Sequence, residues 1–408
     1  QMGLGSVIDV MKVLIVSFYY EPEIGAAPSR ITNLAKGLKA KGVDVDVLTC
    51  LPNYPQGRIF DGYRNHFAYR ENIDGIDIYR YWTYATVSKN PIKRVIAMFS
   101  FAMTMWAFAL RRKSIKQYDR VIIQSPPIVV SASAILLFRK LYKRNVVLNV
   151  SDLWPSSAVE LGFMKKGSLS FKYTAMLERF IYKNATSIMG QSQEIIEHIN
   201  RFVPEKPMFL YRNLANNQSV LDSASAICHV REPFKIVYAG LLGVAQDICS
   251  LIKSVNFELL GVEMHLYGAG NQVESIKEYI ASGVKNVFYH GTLSRQEMDK
   301  TLLEYDASIV ALVTPIYGAV PSKIFDLLPA GVPILFCGGG EGARIVSENS
   351  FGLVSASADY KALEENIISM KSMSEEDYSN LSNNCVKASR GKFSFSEQMD
   401  SFIKFLQK

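Results

Sequence analysis

The stretch that decides the fold is Val13–Thr49, VLIVSFYYEPEIGAAPSRITNLAKGLKAKGVDVDVLT. Val13–Val16 is a short β-branched and apolar run, and a Gly/Pro turn fills Glu21–Pro28. Ser29–Ala40 then places Ile31, Leu34, Ala35 and Leu38 at the 3–4 spacing of one buried helix face. Gly42 ends that helix as a C-cap residue does, and Val43–Thr49 is the next strand. Together these make one β-α-β unit.

Working outward, the unit recurs. Strand-like runs follow at Ile76–Trp82, Arg120–Gln124, Val146–Val150, Ser187–Gly190 and Met208–Tyr211, mostly with helical stretches between them. The pattern lapses around 213–233 and restarts with Lys235–Ala239, Glu263–Tyr267, Asn286–Tyr289, Ala307–Leu312, Pro333–Phe336 and Gly352–Val354. Alternating strands and helices imply α/β architecture with mostly parallel sheets covered on both faces. Two series with a break predict two doubly wound, Rossmann-like domains, with a ligand crevice at the strands' carboxyl ends facing an interdomain cleft. The expected boundaries are 11–215 and 216–390, with a last helix in 391–408 returning to the first domain. Gln1–Val10 is set aside because Met11-Lys12 reads as a natural start, and Val13–Ser17 is too short for a signal-peptide core.

Composition narrows the class. Of 408 residues, 49% are apolar and 20% charged, which excludes intrinsic disorder. Five cysteines without a C-x-x-C pair argue against a disulfide framework or structural zinc site and favour a reducing compartment. Residues 1–217 hold 29 Lys+Arg against 16 Asp+Glu, a net +13, and residues 218–408 hold 16 against 22, a net −6. A basic half suggests an anionic partner, a nucleic acid or a membrane surface. The chain carries no aromatic-basic recognition motif, so no nucleic acid is expected.

Val95–Leu110 is uncharged and bracketed by Lys93-Arg94 and Arg111-Arg112-Lys113. As a helix it spans ~24 Å, short of the ~30 Å hydrocarbon core, so it reads as a leaflet-dipping helix or a buried core helix. Ala134–Arg144 sets Ile135–Phe138 and Leu141 beside Arg139, Lys140, Lys143 and Arg144. With the basic half, this favours peripheral binding to a membrane surface through Lys93, Arg94, Trp106, Arg111, Arg112, Lys113, Arg139 and Lys140.

Several turns could face a ligand. Gly25-Ala26-Ala27-Pro28-Ser29 opens a helix and lets backbone N–H groups approach an anion. Tyr267-Gly268-Ala269-Gly270 follows a strand in the same way, as does Gly338–Gly342. The run Val320–Pro333 is more specific: Pro321 at N1 and Ser322 start a helix, Lys323 can pair with a phosphate, and Asp326 lies at i+3 on the same side, where a carboxylate suits two sugar hydroxyls. Asp44-Val45-Asp46 has the spacing of a metal-binding D-x-D, but inside an alternating strand its carboxylates read as a solvated edge. The five histidines are scattered, and His265 reads as a packed strand residue.

Taken together, Pro321–Pro333, Glu21–Ala27, Leu51–Gly57, Ser125–Pro127, Asp152–Val159 with Leu161-Gly162, and Tyr238–Gln246 resemble retaining GT-B glycosyltransferases of family 4, in particular the WbuB-like branch of O-antigen and capsule synthesis. The resemblance spans nearly the whole chain from Met11 onward. It implies transfer from a nucleotide sugar, with a UDP-sugar favoured and an N-acetylated amino or deoxy sugar as candidates, to a polyprenyl-diphosphate-linked saccharide. It also implies retained configuration, no metal and no cofactor, and a place on the cytoplasmic face of the bacterial inner membrane. On this reading Asp152 and Lys323 are catalytic. Gly25, Gly240, Leu242, Gly243, Gln246, Gly268, Gly270, Pro321, Ser322, Lys323 and Asp326 bind the donor, with backbone N–H groups at Gly240–Gly243 and Pro321–Ser322 helping Lys323. Asn53, Tyr54, Pro55, Asp152 and Trp154 meet the acceptor. The chain departs from the wider family at Gly318 and Asp326, where two Glu are usual, at Leu241 and Gln246, where Arg and Lys are usual, and at Ser151, where Arg is usual. Those departures motivate an alternative, a catalytically impaired membrane-associated assembly partner.

Overall fold

A computed structural model describes residues 10–88, 90–111, 115–216, 232–314 and 316–408. The chain divides into two compact units, Gln1–Arg212 with Met399–Lys408, and Asn213–Gln398.

Among the described residues the first unit holds β1 (Lys12–Val16), β2 (Asp44–Cys50), β3 (Ala68–Ile73), β4 (Ile76–Tyr81), β5 (Arg120–Ser125), β6 (Asn145–Val150), β7 (Ser187–Gly190) and β8 (Met208–Leu210). They form one sheet in the order β3-β4-β2-β1-β5-β6-β7-β8. Ile15 of β1 lies opposite Val47 of β2 and Ile122 of β5. Helices cover both faces, so Val13–Val16 are fully buried, as an unbroken apolar strand requires. Every pairing is parallel except β3 with β4. The second unit holds β9 (Phe234–Ala239), β10 (Val262–Tyr267), β11 (Val287–Tyr289), β12 (Ala307–Ala311), β13 (Ile334–Cys337) and β14 (Gly352–Ser355). Its order, β11-β10-β9-β12-β13-β14, is the doubly wound 3-2-1-4-5-6 arrangement. The expected α/β class and two Rossmann-like domains are present. In each unit the chain reverses direction across the sheet beside the first strand, at β1/β5 and at β9/β12, and the loops there leave the carboxyl edge.

Three local expectations are corrected. Asp46 is not on a solvated edge: it is 3% exposed and accepts a 2.5 Å hydrogen bond from the Tyr118 hydroxyl, while Asp44 pairs with Lys12 at 2.8 Å. Its strand is interior to the sheet, and its outward-looking alternation sets Asp46 against the Tyr118 hydroxyl and the Lys12 ammonium, 3.7 Å away, rather than water. The apolar segment is also longer than its sequence boundaries. Helices Pro91–Thr104 and Trp106–Arg111 abut at Met105, and Ile92–Leu110, 19 residues with mean hydropathy 1.3, is long and apolar enough by length and composition to cross a membrane. Yet Phe101, Met105 and Phe108 are fully buried in the first unit's core. Finally, the basic amphipathic stretch continues the helix Ile128–Ala134 as a widened π turn, Ile135–Leu141.

Helices Pro91–Thr104, Ile128–Ala134 and Leu169–Asn184 pack side by side in one layer. The last helix, Phe395–Gln407, buries Met399 and Phe402, with Phe402 set against Phe209 of β8 and Tyr211. Cys50, Cys249, Cys337 and Cys385 are free and buried, while Cys228 lies outside the described residues.

Candidate active site

In the second unit the loops after β9 and β10 are stitched together. Gly240 N donates to Tyr267 O at 3.0 Å, Leu242 N to Ala269 O at 2.9 Å, and Gly268 N to Gly291 O at 2.7 Å. The approach is so close that a Cβ on Gly268, whose φ is +146°, would sit 1.8 Å from Gly240 O. This corrects part of the expected anion cradle. The Gly240 and Leu242 N–H groups are already donated, and Leu242 is a fully buried core residue. In this loop, among the described residues, the Leu241 and Gly243 N–H groups donate to nothing in the chain. Gln246 Oε1 is buried beside Gly243 without a hydrogen-bond partner.

The same loops wall a pocket of about 290 Å³ whose lining includes Gly240, Tyr267, Gly268, Arg295, Lys323 and Asp326. Lys323 Nζ pairs with Asp326 at 3.3 Å, as their i,i+3 spacing predicts. Its Cε lies 3.7 Å from where a Gly240 Cβ would stand, so the Lys323 side chain and the Gly240 turn share one wall. Arg295 was not anticipated. It opens the helix Arg295–Thr301, held by a Ser294–Glu297 capping box, and its guanidinium binds the other Asp326 oxygen at 3.0 Å. One carboxylate thus holds two cations at the pocket wall. The expected helix start is shorter than supposed. The helix is Lys323–Leu327 with Ser322 as N-cap, Pro321 lies outside it, and the Ser322 side chain makes no cap bond. Five residues carry little macrodipole, so positive potential here comes from Lys323 and Arg295. Gly25 belongs to the first unit and Gly270 is outside this pocket's lining; a Cβ on Gly270 would meet Leu242 O at 2.1 Å.

His265 on β10 is hydrogen-bonded, not merely packed. Its Nδ1 lies 2.9 Å from His290 Nε2 and its Nε2 3.1 Å from Glu263, while His290 stacks on Tyr267. Burial lowers the pKa of both rings, with Glu263 partly opposing it at His265.

In the first unit, the residues leaving β1, β2, β5, β6 and β7 share the carboxyl edge. Glu23, 6% exposed, accepts from Asn53 N and Tyr54 N, both at 2.8 Å, through one oxygen, and from Tyr20 N through the other. Burial raises its carboxyl pKa, and those N–H bonds pull it back. Glu23 therefore fixes the expected acceptor loop from beneath. Asn53 itself is buried and donates its amide to Leu51 O, so it positions the loop rather than meeting a ligand, whereas Tyr54 and Pro55 are exposed. Trp154 is half-buried against the core.

Asp152 follows β6. Its side chain reaches solvent although it is densely surrounded, and that partial desolvation raises its pKa to about 6, with Arg30 acting in the opposite direction. Arg30, also unanticipated, is 3% exposed; it donates to Asn149 Oδ1 at 2.7 Å and to Gln191 Oε1, and its Nε has no partner. Asn149 continues to Gln124 at 2.7 Å and Gln124 to Ser151 at 2.8 Å. Burial lowers the Arg30 pKa to about 10, so it stays cationic at neutral pH.

Of the residues expected to meet a membrane, Lys93, Arg94 and Lys140 are exposed and Arg139 is half-buried. Trp106 is turned inward: its indole donates to Ser133 Oγ at 2.9 Å and packs on the core. Arg112, Lys113 and the Arg111 side chain lie outside the described residues. The exposed apolar side chains Ile92, Val95, Ile96, Phe99, Met103 and Leu110 recur at helical spacing, forming a stripe opposite Phe101.

Residues 25–213 match the family model described as "Glycosyl transferase 4-like domain". The chain is 27% identical over 341 residues to the "Putative colanic acid biosynthesis glycosyl transferase WcaI" of Escherichia coli strain K12, covering 79% of this chain and 82% of that one. Among solved structures, sucrose-phosphate synthase from Thermosynechococcus elongatus superposes with TM-score 0.72 at 13% identity, over 97% of this chain and 98% of that one. Anabaena HepE in complex with UDP superposes with TM-score 0.67 at 11% identity, over 97% and 100%. The chain is a glycosyltransferase of GT-B fold with a glycosyl transferase 4-like domain in its first half.

Proposed function

We propose that this glycosyltransferase takes a sugar from a UDP-sugar and adds it, with retention of configuration, to a polyprenyl-diphosphate-linked saccharide during bacterial surface-polysaccharide synthesis. The observation that carries the reading is Lys323 with Arg295 around Asp326 in one pocket beside the Gly240 turn. Two cations suit a nucleoside diphosphate, and the names of WcaI and of the UDP complex of HepE fit that chemistry.

In the reaction, the bond between the anomeric carbon and the diphosphate oxygen breaks as the acceptor hydroxyl oxygen bonds to the same face of that carbon. The hydroxyl proton passes to the departing diphosphate oxygen. Lys323 stabilises the charge growing on the leaving group, and Asp152 orients a hydroxyl as a carboxylate acceptor. No metal or cofactor enters. The exposed stripe on Ile92–Leu110, with Lys93 and Arg94 in its first turn, supports a peripheral seat on the cytoplasmic face of the inner membrane. The UDP-sugar classes named above are the donors to screen, by thermal shift and then by transfer to a synthetic lipid-diphosphate saccharide. Transfer with inverted configuration, or none from any UDP-sugar, overturns the reading; stable donor binding without turnover favours the assembly-partner alternative.

A further inference from the structure

The second half of the loop between β2 and β3, residues 58–67, has been given no role. With Trp82, which follows β4, it encloses an open recess of about 760 Å³ whose lining includes Leu51, Arg58, Tyr63, Arg64, His66 and Trp82. Because β4 runs parallel to β2, this recess lies on the same carboxyl edge as the Glu23-anchored loop.

Its walls are fixed. Leu51 N donates to Tyr81 O at 2.9 Å, Phe60 N to Pro52 O at 2.9 Å, and Trp82 N to Phe67 O at 2.8 Å. Gly57 holds φ +64°, and a Cβ there would stand 2.4 Å from Val87 N, so the loop is packed down against residues 86–87. The Tyr63 hydroxyl donates to Glu71 at 3.0 Å while its ring faces the buried Arg80 guanidinium, 5.3 Å from the centroid. Above this base the cations are available. Among the described residues Arg58 donates only to Gln56, at 3.2 Å, while Arg64 donates through Nε to Ile59 O at 3.3 Å and through its Nη2 pairs with Asp61 at 2.9 Å in an exposed contact that a stronger anion can displace. Two guanidinium forks beside exposed Trp82 and Phe67 suit an anion with phosphate geometry and an apolar neighbour.

The apolar neighbour is in place. Thr104 Oγ1 donates to Trp82 O at 2.7 Å, Thr83 Oγ1 to Ala97 O at 3.1 Å, and Tyr84 N to Ser100 Oγ at 2.8 Å. Residues 82–84 are thereby fastened along the helix Pro91–Thr104, whose outward stripe includes Phe99 and Met103, the latter adjacent to Thr104. We infer that the recess is the headgroup site for a lipid diphosphate: Arg58 and Arg64 hold the diphosphate, His66 adds a ring nitrogen, and the hydrocarbon chain leaves over Met103 and Phe99. The inference rests on the lipid-linked acceptor proposed above and names the residues that take it. A soluble anion would use the two arginines but not the stripe.

The test is isothermal titration of the full chain with farnesyl diphosphate, inorganic pyrophosphate and farnesol, with UDP titrated separately. Farnesyl diphosphate is expected to bind at least about tenfold more tightly than pyrophosphate, and farnesol not measurably. Arg58→Ala with Arg64→Ala weakens farnesyl diphosphate by about tenfold or more and leaves UDP unchanged. Phe99→Ser with Met103→Ser weakens farnesyl diphosphate while leaving pyrophosphate as it was. Farnesyl diphosphate binding unaffected by the double arginine substitution, or no tighter than pyrophosphate, overturns the inference. In the unsubstituted chain, UDP binding without measurable farnesyl diphosphate binding overturns the inference and leaves the donor reading untouched; farnesyl diphosphate binding without UDP binding sinks the donor reading and leaves this site standing.

Discussion

Replacing Lys323 with Ala removes the ammonium that shares the Gly240 wall and pairs with Asp326 at 3.3 Å. Two charges 4 Å apart attract by about 1 kcal/mol in water and about 4 kcal/mol at an effective dielectric of 20. The Lys323 side chain is 46% exposed, which places its hold on a diphosphate between those limits, at about 2 kcal/mol. That corresponds to roughly 30-fold in the UDP dissociation constant. The cost to folding is far smaller, because an exposed i,i+3 ion pair contributes about 0–1 kcal/mol and Asp326 keeps Arg295. Binding and stability should therefore separate. Isothermal titration of UDP at physiological salt is expected to show the roughly 30-fold loss in Lys323→Ala, with a thermal midpoint within a few degrees of wild type. Lys323→Arg keeps the charge and is expected to recover most of the affinity. Lys323→Ala binding UDP within about twofold of wild type, at an unchanged thermal midpoint, would refute the placement of the diphosphate at this wall.

Three further outcomes are expected. Asp152 accepts a hydroxyl only as the carboxylate, and its pKa is raised to about 6, so kcat/KM falls as pH drops through about 6. Arg30→Met removes the charge that lowers that pKa and moves the limb upward, Arg30→Lys keeps it in place, and a limb unmoved in Arg30→Met separates Arg30 from Asp152 electrostatically. Gly268→Ala drives a Cβ to 1.8 Å from Gly240 O, which is expected to cost about 3 kcal/mol or more and abolish UDP binding, whereas Gly339→Ala, with nothing within 4 Å, leaves both intact; thermal melts and UDP titration check the pair. Ile96→Asp with Met103→Asp places charge in the exposed stripe and is expected to cut co-sedimentation with anionic-lipid vesicles by about tenfold or more, without changing UDP affinity; retained sedimentation counts against the membrane seat.

How far these features could be read from the sequence depended on how far apart their parts lie along the chain. The β-α-β rhythm was legible because each strand is a short apolar run and each helix keeps one apolar face, patterns complete within a dozen residues. Lys323–Asp326 was legible for the same reason, being one helical turn. β3 was not: Ala68–Ile73 reads AYRENI, with Arg70, Glu71 and Asn72 consecutive and no period-2 pattern, and is a strand because Glu71 and Asn72 register against Ile78 and Asp77 in an antiparallel edge pair. Asp46 was misread because strand alternation says which residues share a face but not whether that face is covered.

The same rule explains why the two arginines went unseen. In sequence Arg30 is a polar residue in the first turns of an amphipathic helix, which ordinarily means solvent. Only the fold brings Asn149, 119 residues away, and Gln191, 161 residues away, to its guanidinium, and only those partners make its burial tolerable. Arg295 reaches Asp326 across 31 residues, from a capped helix with no apolar signal of its own. Chemistry assembled by one helical turn can thus be found by spacing, whereas chemistry assembled across strands of a parallel sheet cannot, because adjacent strands are separated in sequence by whole helices. A buried cation held, among the described residues, by two amide oxygens and with no partner at its Nε, in the field of a carboxylate of raised pKa, is the arrangement such a sheet edge can build and a sequence cannot announce. The pH limb of the Arg30 variants therefore tests more than one residue: it asks whether these long-range contacts set the protonation of Asp152, the group proposed to meet the acceptor.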